Sequence, residues 1–238
     1  TLLIIYLISA LLSALTKAVM NYSVSNFFNE NTFEQAVIEL LQGMGYTHIY
    51  APNLERDNSS PLLDSILQDS IVRLNKGLHL NAVNEALNKL KSFDSGSLIQ
   101  KNAVFMDYLQ NGIPVRYYVK GEERSSVVSI VDYNCPENNV FNIVNQFTYI
   151  EGYNNRRPDI ILFINGLPLV LMELKSPSKD EVGAENAYNQ IRNYMHEIPS
   201  MFIYNAICVM SDQLISKAAA SRRIPSRTPM YAYADIFS

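Results

Sequence analysis

Between Phe33 and Leu109 the apolar residues recur every three or four positions, and beyond Gly112 they crowd into short runs rich in β-branched and aromatic side chains. That change of period predicts helices first and strands afterwards. In NTFEQAVIELLQGMGY, Phe33, Val37, Leu40, Leu41 and Met44 make one stripe, and Gly43 and Gly45 mark its end. SPLLDSILQDSIVRLN and NAVNEALNKLKSF predict two more amphipathic helices, parted near Gly77. LIQKNAVFMDYLQNG predicts a fourth, stopped by Asn111-Gly112 and Pro114. VRYYVK, SSVVSIVDY and VFNIVNQFTYIEG then predict a meander of strands. DIILFI and LPLVLMELK follow as two more, joined at Asn165-Gly166, the strongest hairpin signal in the chain. Their unbroken apolar character places both faces under cover. The expected fold is mixed α/β, a central mixed sheet flanked by helices. It is helical to about residue 112 and has a sheet core over about 113–212 and a tail over 213–238, without repeats or an interdomain linker.

Three ionisable groups interrupt the most apolar part: Asp159 before the first strand of the hairpin, Glu173 and Lys175 at the end of the second. Residues two apart in a strand share a face, and an antiparallel hairpin brings its start and end together. One reading is a salt bridge at a strand end. The other is a site where two carboxylates hold a divalent cation beside a lysine, the parts that phosphodiester hydrolysis needs. Parity constrains the second reading. A regular two-residue turn at Asn165-Gly166 pairs Ile164 with Leu167 and sends the two carboxylates to opposite faces. A shared cation therefore predicts a three-residue loop with Gly166 left-handed, or a bulge near Pro168.

Composition adds limits. The chain has 238 residues, 48% of them hydrophobic and 18% charged, enough to bury a substantial core. Its formal net charge of −4 gives no general attraction to nucleic acid, so DNA binding must rest on local cations or on metal. Cys135 and Cys208 belong to no CxxC or Cys/His pattern, which argues against zinc and disulfides and fits a reduced, cytoplasmic setting. His48, His79 and His196 are scattered and read as ordinary core or surface residues. The opening TLLIIYLISALLSAL is short for a span of about 20 residues and lacks the basic start of an export signal. Residues 1–20 are expected to be a dispensable extension, or else a packed helix, with no membrane association; the domain then occupies 21–238.

Pro158-Asp159 followed by Glu173-Leu174-Lys175 resembles the PD-(D/E)xK nuclease signature. RRPDIILFINGLPLVLMELKSP as a whole resembles the amino-terminal nuclease domain of type I restriction enzyme R subunits. AYNQIRNY carries Gln190 and Tyr194 at that family's QxxxY spacing. FEQAVIELLQGMGYTHI and FMDYLQNGIPVRYY resemble its first helix and its approach to the central strands, so the likeness covers roughly residues 27 to 212. The resemblance implies a restriction-endonuclease-like core in which Asp159, Glu173 and the Leu174 carbonyl bind Mg²⁺ and Lys175 assists attack. Gln190 and Tyr194, one helical turn apart, would contact DNA or support the site. Glu34 matches the acidic residue of the family's first helix, although with Asn31 it also forms a capping-box pattern. Arg156, Arg157, Lys179 and Arg192 are candidates for local positive surface.

The implied partners are double-stranded DNA, specificity and methylation subunits, and a helicase-like motor that normally shares the chain and uses ATP. No GxxxxGK[ST] phosphate loop occurs in this sequence, so it is expected to be a fragment or truncated product without its motor. Three functions stay open: a Mg²⁺-dependent DNA endonuclease module of a type I restriction system, a stand-alone repair or mobile-element nuclease, and a non-catalytic DNA-binding or assembly module.

Overall fold

A computed structural model describes residues 30–175, 183–211 and 216–220. The apolar amino-terminal segment, Lys179 and the tail past residue 220 lie outside them. Helix α1 (Glu30–Gly43) leads into strand β1 (Thr47–Tyr50), and helices α2 (Asp64–Leu74), α3 (Leu80–Lys91) and α4 (Leu98–Asn111) follow. Next come β2 (Ile113–Val119), β3 (Glu122–Val128), β4 (Phe141–Asn145), β5 (Tyr149–Glu151) and β6 (Asn154–Arg156). The hairpin β7 (Ile160–Ile164) and β8 (Leu167–Leu174), helices α5 (Gly183–Glu197) and α6 (Pro199–Ile203), and strands β9 (Ile207–Ser211) and β10 (Ser216–Ala220) complete the described chain.

The predicted helices and the central hairpin form where the pattern put them; the meander does not. The central sheet has six strands in the order β1-β4-β7-β8-β9-β10. It is mixed: β1 runs parallel to β4 and β8 to β9, and the other pairs are antiparallel. Strands β2 and β3 form a separate ribbon, and β5 and β6 another. The buried Asn75 ends β3. Its Oδ1 accepts from Ser129 N at 2.8 Å and its Nδ2 donates to Ser129 O at 2.7 Å, taking the backbone groups that the next ladder rung would use. VFNIVNQFTYIEG is split at Gln146, which is left-handed at φ 56° and turns Phe147 into the core beneath the Arg56 guanidinium, 3.8 Å from the ring centre. Strand β1, inside the expected helical half, was not anticipated. Its four residues are too few to show a period.

Each face of the sheet carries its own core. On one, Ile143, Ile160, Leu162, Met172, Leu174 and Val209 pack with α1 to α4 and the β2–β3 ribbon. On the other, Val144, Ile161, Phe163, Leu171 and Met210 pack with Ile191 and Tyr194 of α5 and Phe202 of α6. Both strands of the hairpin are buried throughout, as their unbroken apolar runs require.

The hairpin turn is itself buried. Asn165 and Gly166 both have positive φ, 52° and 81°, the pair a primed two-residue turn demands. Asn165 is fully buried with its amide satisfied, donating to Ile130 O at 2.9 Å and to Asn139 Oδ1 at 2.8 Å while accepting from Val140 N at 2.8 Å. A Cβ on Gly166 would stand 2.7 Å from Leu63 O and from Leu67 N. Only glycine lets α2 begin that close to the turn.

The register then shifts. Ile164 pairs with Leu167 and Phe163 with Pro168, but Leu162 pairs with Val170, leaving Leu169 as an extra residue. A proline has no ladder N–H to lose at a bulge, which is where an inner strand tolerates one. Leu169 and its neighbour Val170 both enter the first core, so the parity of β8 reverses there. Odd-numbered residues beyond it, Leu171 and Glu173, face the second core. That is the face of Ile161 and Asp159. Of the two geometries expected to rescue a shared site, the chain uses the bulge.

Candidate active site

Asp159 follows the buried Pro158 and immediately precedes β7. Its Oδ2 accepts from Leu174 N at 2.7 Å, which ties the start of one hairpin strand to the end of the other. Glu173 is wholly buried. Burial first, and then the nearby Asp159 charge, push its carboxyl up to about 8, against the partial relief given by Lys175. Lys175 Nζ lies 3.1 Å from Glu173 Oε1, and its side chain keeps some exposure at the mouth of the site. Its backbone N–H donates to Ser211 O at 2.8 Å, holding the strand end against β9. Thus the strand-end salt bridge exists, but one of its partners is a desolvated acid crowded by a second acid.

Glu173 Oε2 is buried and meets no hydrogen-bond donor among the described residues. An orphaned carboxylate oxygen beside a second carboxylate suits a hard cation, which would favour the charged form that burial opposes. No cluster of three or more acidic, His or Cys side chains occurs among the described residues, and the backbone beside Asp159 offers a further oxygen. In an extended strand the N–H and C=O of one residue point to the same side. Because Leu174 N–H reaches Asp159, the Leu174 carbonyl is turned toward the same site. Asp159, Glu173 and Leu174 O therefore fit a divalent cation.

Helix α5 brings Gln190 and Tyr194 to this place. Gln190 Nε2 donates to Tyr194 Oη at 2.6 Å. Tyr194 is almost fully buried, and its ionisation is pushed well above the usual phenol range by burial and then by the Glu173 charge, with Asp159 adding to it. It stands as a neutral hydroxyl close to both acids.

Glu34 approaches the same end of the sheet from the first core. Its Oε1 accepts from Asn145 Nδ2 at 2.7 Å, and Asn145 pairs in register with Ile160, next to Asp159. Asn145 Oδ1 in turn lies 3.0 Å from His48 Nε2. With the amide nitrogen committed to Glu34, that oxygen can only accept, so Nε2 carries the imidazole proton. The capping-box alternative for Glu34 fails, because Asn31 is inside α1 rather than ahead of it. The sequence pattern singles out neither His48 nor Asn145. Their one signal was a polar Asn on the core-facing side of an apolar strand.

The cations divide. Arg156 forms a two-pronged pair with Glu197 at the end of α5, Nε to Oε2 at 2.5 Å and Nη2 to Oε1 at 2.6 Å. Arg157 is exposed two residues before Asp159, and the Arg192 guanidinium stands 5.8 Å from the Tyr188 ring centre.

A mixed sheet covered by helices on both faces, with an acid pair and a lysine at the end of its central hairpin and a Gln–Tyr helix beside them, defines the restriction-endonuclease-like class. Within it, the chain belongs to the family of the type I restriction enzyme R protein N terminus, which matches residues 27–223. The match passes residue 212, the expected end of the likeness, and takes in β10. The chain is 33% identical over 198 residues to the type I restriction enzyme HindI endonuclease subunit of Haemophilus influenzae, covering 79% of this chain and 19% of that protein. It is 29% identical over 193 residues to a putative type I restriction enzyme MjaIXP endonuclease subunit of Methanocaldococcus jannaschii, with 77% and 18% covered. A Staphylococcus aureus type I restriction enzyme endonuclease subunit is 27% identical over 187 residues, with 77% and 18% covered. The chain spans about a fifth of the length of these relatives.

Proposed function

We propose that this chain is the Mg²⁺-dependent DNA endonuclease module of a type I restriction system. The observation that carries the reading is the bulge at Leu169, which interrupts the ladder of a fully buried hairpin and thereby sets Asp159 and Glu173 on one face beside Lys175. Packing alone has no use for a desolvated carboxylate, which costs several kcal/mol unless compensated.

Asp159, Glu173 and the Leu174 carbonyl would hold the cation, which when bound supplies Lewis-acid charge and lowers the pKa of a coordinated water. Lys175, tethered through Glu173, presents its ammonium where negative charge grows on the phosphate as the new P–O bond forms and the leaving oxygen departs. Tyr194, fixed by Gln190, closes the protein side of the site with an un-ionised hydroxyl and excludes water. Glu34, steadied by Asn145, adds an acid at the same sheet end.

On this reading the substrate is double-stranded DNA in the cytoplasm. Base recognition lies in a specificity subunit, with a methylation subunit in the same complex, and cutting follows translocation by ATP-driven motor domains. Family membership and the short span relative to its relatives support these partners. The test is a restriction complex reassembled with Asp159→Ala, Glu173→Ala or Lys175→Ala. Each should stop DNA cleavage while ATP-driven translocation continues. Cleavage at the normal rate by all three would overturn the reading.

A further inference from the structure

Tyr153 is the most exposed large hydrophobic side chain among the described residues. It sits at the tip of the β5–β6 hairpin, in a turn opened by Gly152 at φ 59°. A single exposed tyrosine is ordinary on a protein surface. This hairpin, however, is held with more ties than its three rungs of ladder supply. Arg156 clasps Glu197 with two bonds, Asn154 Nδ2 donates to Glu197 O at 2.8 Å, and Ile150 N donates to Asn58 O at 2.9 Å. Glu151 accepts from Ser200 N at 3.0 Å and from Ser200 Oγ at 2.7 Å. The tip buries nothing in return: a Cβ added at Gly152 would meet no atom within 4 Å. A rigid base under an unburied aromatic tip is the form of a contact element.

Its place beside the proposed nuclease site says what it contacts. Strand β6 runs through Arg157 and Pro158 straight into Asp159, so Tyr153 lies within roughly 20 Å of that carboxylate even with the chain fully extended. That reach is about six base steps of duplex. The base of the hairpin rests by the site as well, since the Arg156 charge is felt at Tyr194. Resting on the nuclease reading, we propose that the β5–β6 hairpin engages the DNA strand being cut, Tyr153 stacking its ring on a base unstacked from the duplex near the scissile phosphate and Arg157 pairing with the backbone. Aromatic rings stack on every base, so the contact is indifferent to sequence, as suits a nuclease that leaves base readout to another subunit.

The chain contains no tryptophan, so Tyr153→Trp creates a sole indole reporter at the tip. The full 238-residue chain is titrated, without divalent cation, against a mixed-sequence duplex and the single strand of the same sequence. Indole emission should change on binding. Tyr153→Ala should weaken binding at least about fivefold, the low end of base stacking, while Tyr153→Phe binds as the native chain does. The salt slope of binding separates the two residues: Arg157→Ala should reduce it by about one counterion, and Tyr153→Ala should leave it unchanged. Thermal unfolding should not move in Tyr153→Ala, because no contact is lost. Silent indole emission, with Tyr153→Ala binding DNA like the native chain, overturns this inference and leaves the nuclease reading standing. Failure of the native chain to bind either DNA at any salt concentration overturns this inference too, and Mg²⁺ calorimetry of the native chain against Asp159→Ala then decides whether the nuclease site fails with it.

Discussion

Leu174 N–H donates to Asp159 Oδ2 at 2.7 Å, a bond that closes the open end of a hairpin in which Leu169 is an extra residue of β8. The number of residues between the turn and Glu173 decides which face Glu173 takes. Deleting Leu169 removes the extra residue and leaves the same partners opposite one another, Val170 to Leu162 and Met172 to Ile160, now in a regular ladder. Inserting one alanine after Leu169 instead adds a residue that a one-residue bulge does not absorb, so Glu173 and Lys175 turn into the first core and Leu174 away from it. The insertion should therefore abolish Mg²⁺ binding and lower thermal stability together. Leu169→Val, which keeps the count of residues, and the Leu169 deletion should both retain the metal. Calorimetric titration of the three variants with Mg²⁺ decides it. An insertion variant that binds as the native chain does would show that the register of β8 does not set the site.

The turn that begins this geometry has its own test. Gly166→Ala places a side chain at φ 81° and 2.7 Å from two backbone atoms of the α2 start. Left-handed backbone alone costs about 1–2 kcal/mol, and the backbone contact cannot yield as a flexible side chain would. A loss of more than about 2 kcal/mol is expected in urea unfolding of Gly166→Ala. An unchanged midpoint would mean that α2 is not packed on the turn.

Much of this was legible because each signal was local. The helical stripes, the Asn165-Gly166 turn, the two-residue spacing of Glu173 and Lys175, and the four-residue spacing of Gln190 and Tyr194 can be read one segment at a time. Parity even demanded a three-residue loop or a bulge, and the chain uses the bulge. What could not be read was long-range. Asn75 ending β3, Glu197 claiming Arg156, and Asn145 joining Glu34 to His48 are bonds between residues far apart in the chain, and no pattern announces them. The ribbon β2–β3 reads like any other strand pair, because strand propensity says nothing of which sheet a strand joins.

Lys175 separates chemistry from assembly. Its ammonium stands at the partly exposed end of the site, whereas the hairpin is held by apolar burial, so Lys175→Ala should fold and should still bind Mg²⁺. Loss of one group that stabilises charge in the transition state commonly costs roughly 10²- to 10³-fold in rate. Single-turnover cleavage in the reassembled complex should fall by that factor with translocation unaltered. If Mg²⁺ affinity falls instead and the rate at saturating Mg²⁺ is normal, Lys175 serves only to hold Glu173.

Glu173 gives the chain a stability that depends on pH in an unusual direction. Burial raises its folded-state pKa to about 8 from an ordinary 4.5, so between those values the folded chain keeps a proton that the unfolded chain has lost. Unfolding then releases a proton, and stability must fall as pH rises through that window, by an amount on the order of a few kcal/mol. Other groups titrate over the same range, but Glu173→Gln isolates this one: it keeps the shape and stays neutral. In metal-free buffer the variant should match the native chain near pH 5 and melt at a higher temperature near pH 8. Mg²⁺ should reverse the order at pH 8, because it stabilises the ionised native carboxylate by displacing the proton and finds a weaker ligand in the amide. Scanning calorimetry at pH 5 and 8, with and without Mg²⁺, measures all four states. Melting curves of native and variant chains that run parallel across that range, with no separate response to Mg²⁺, would mean that Glu173 is neither strained nor a metal ligand.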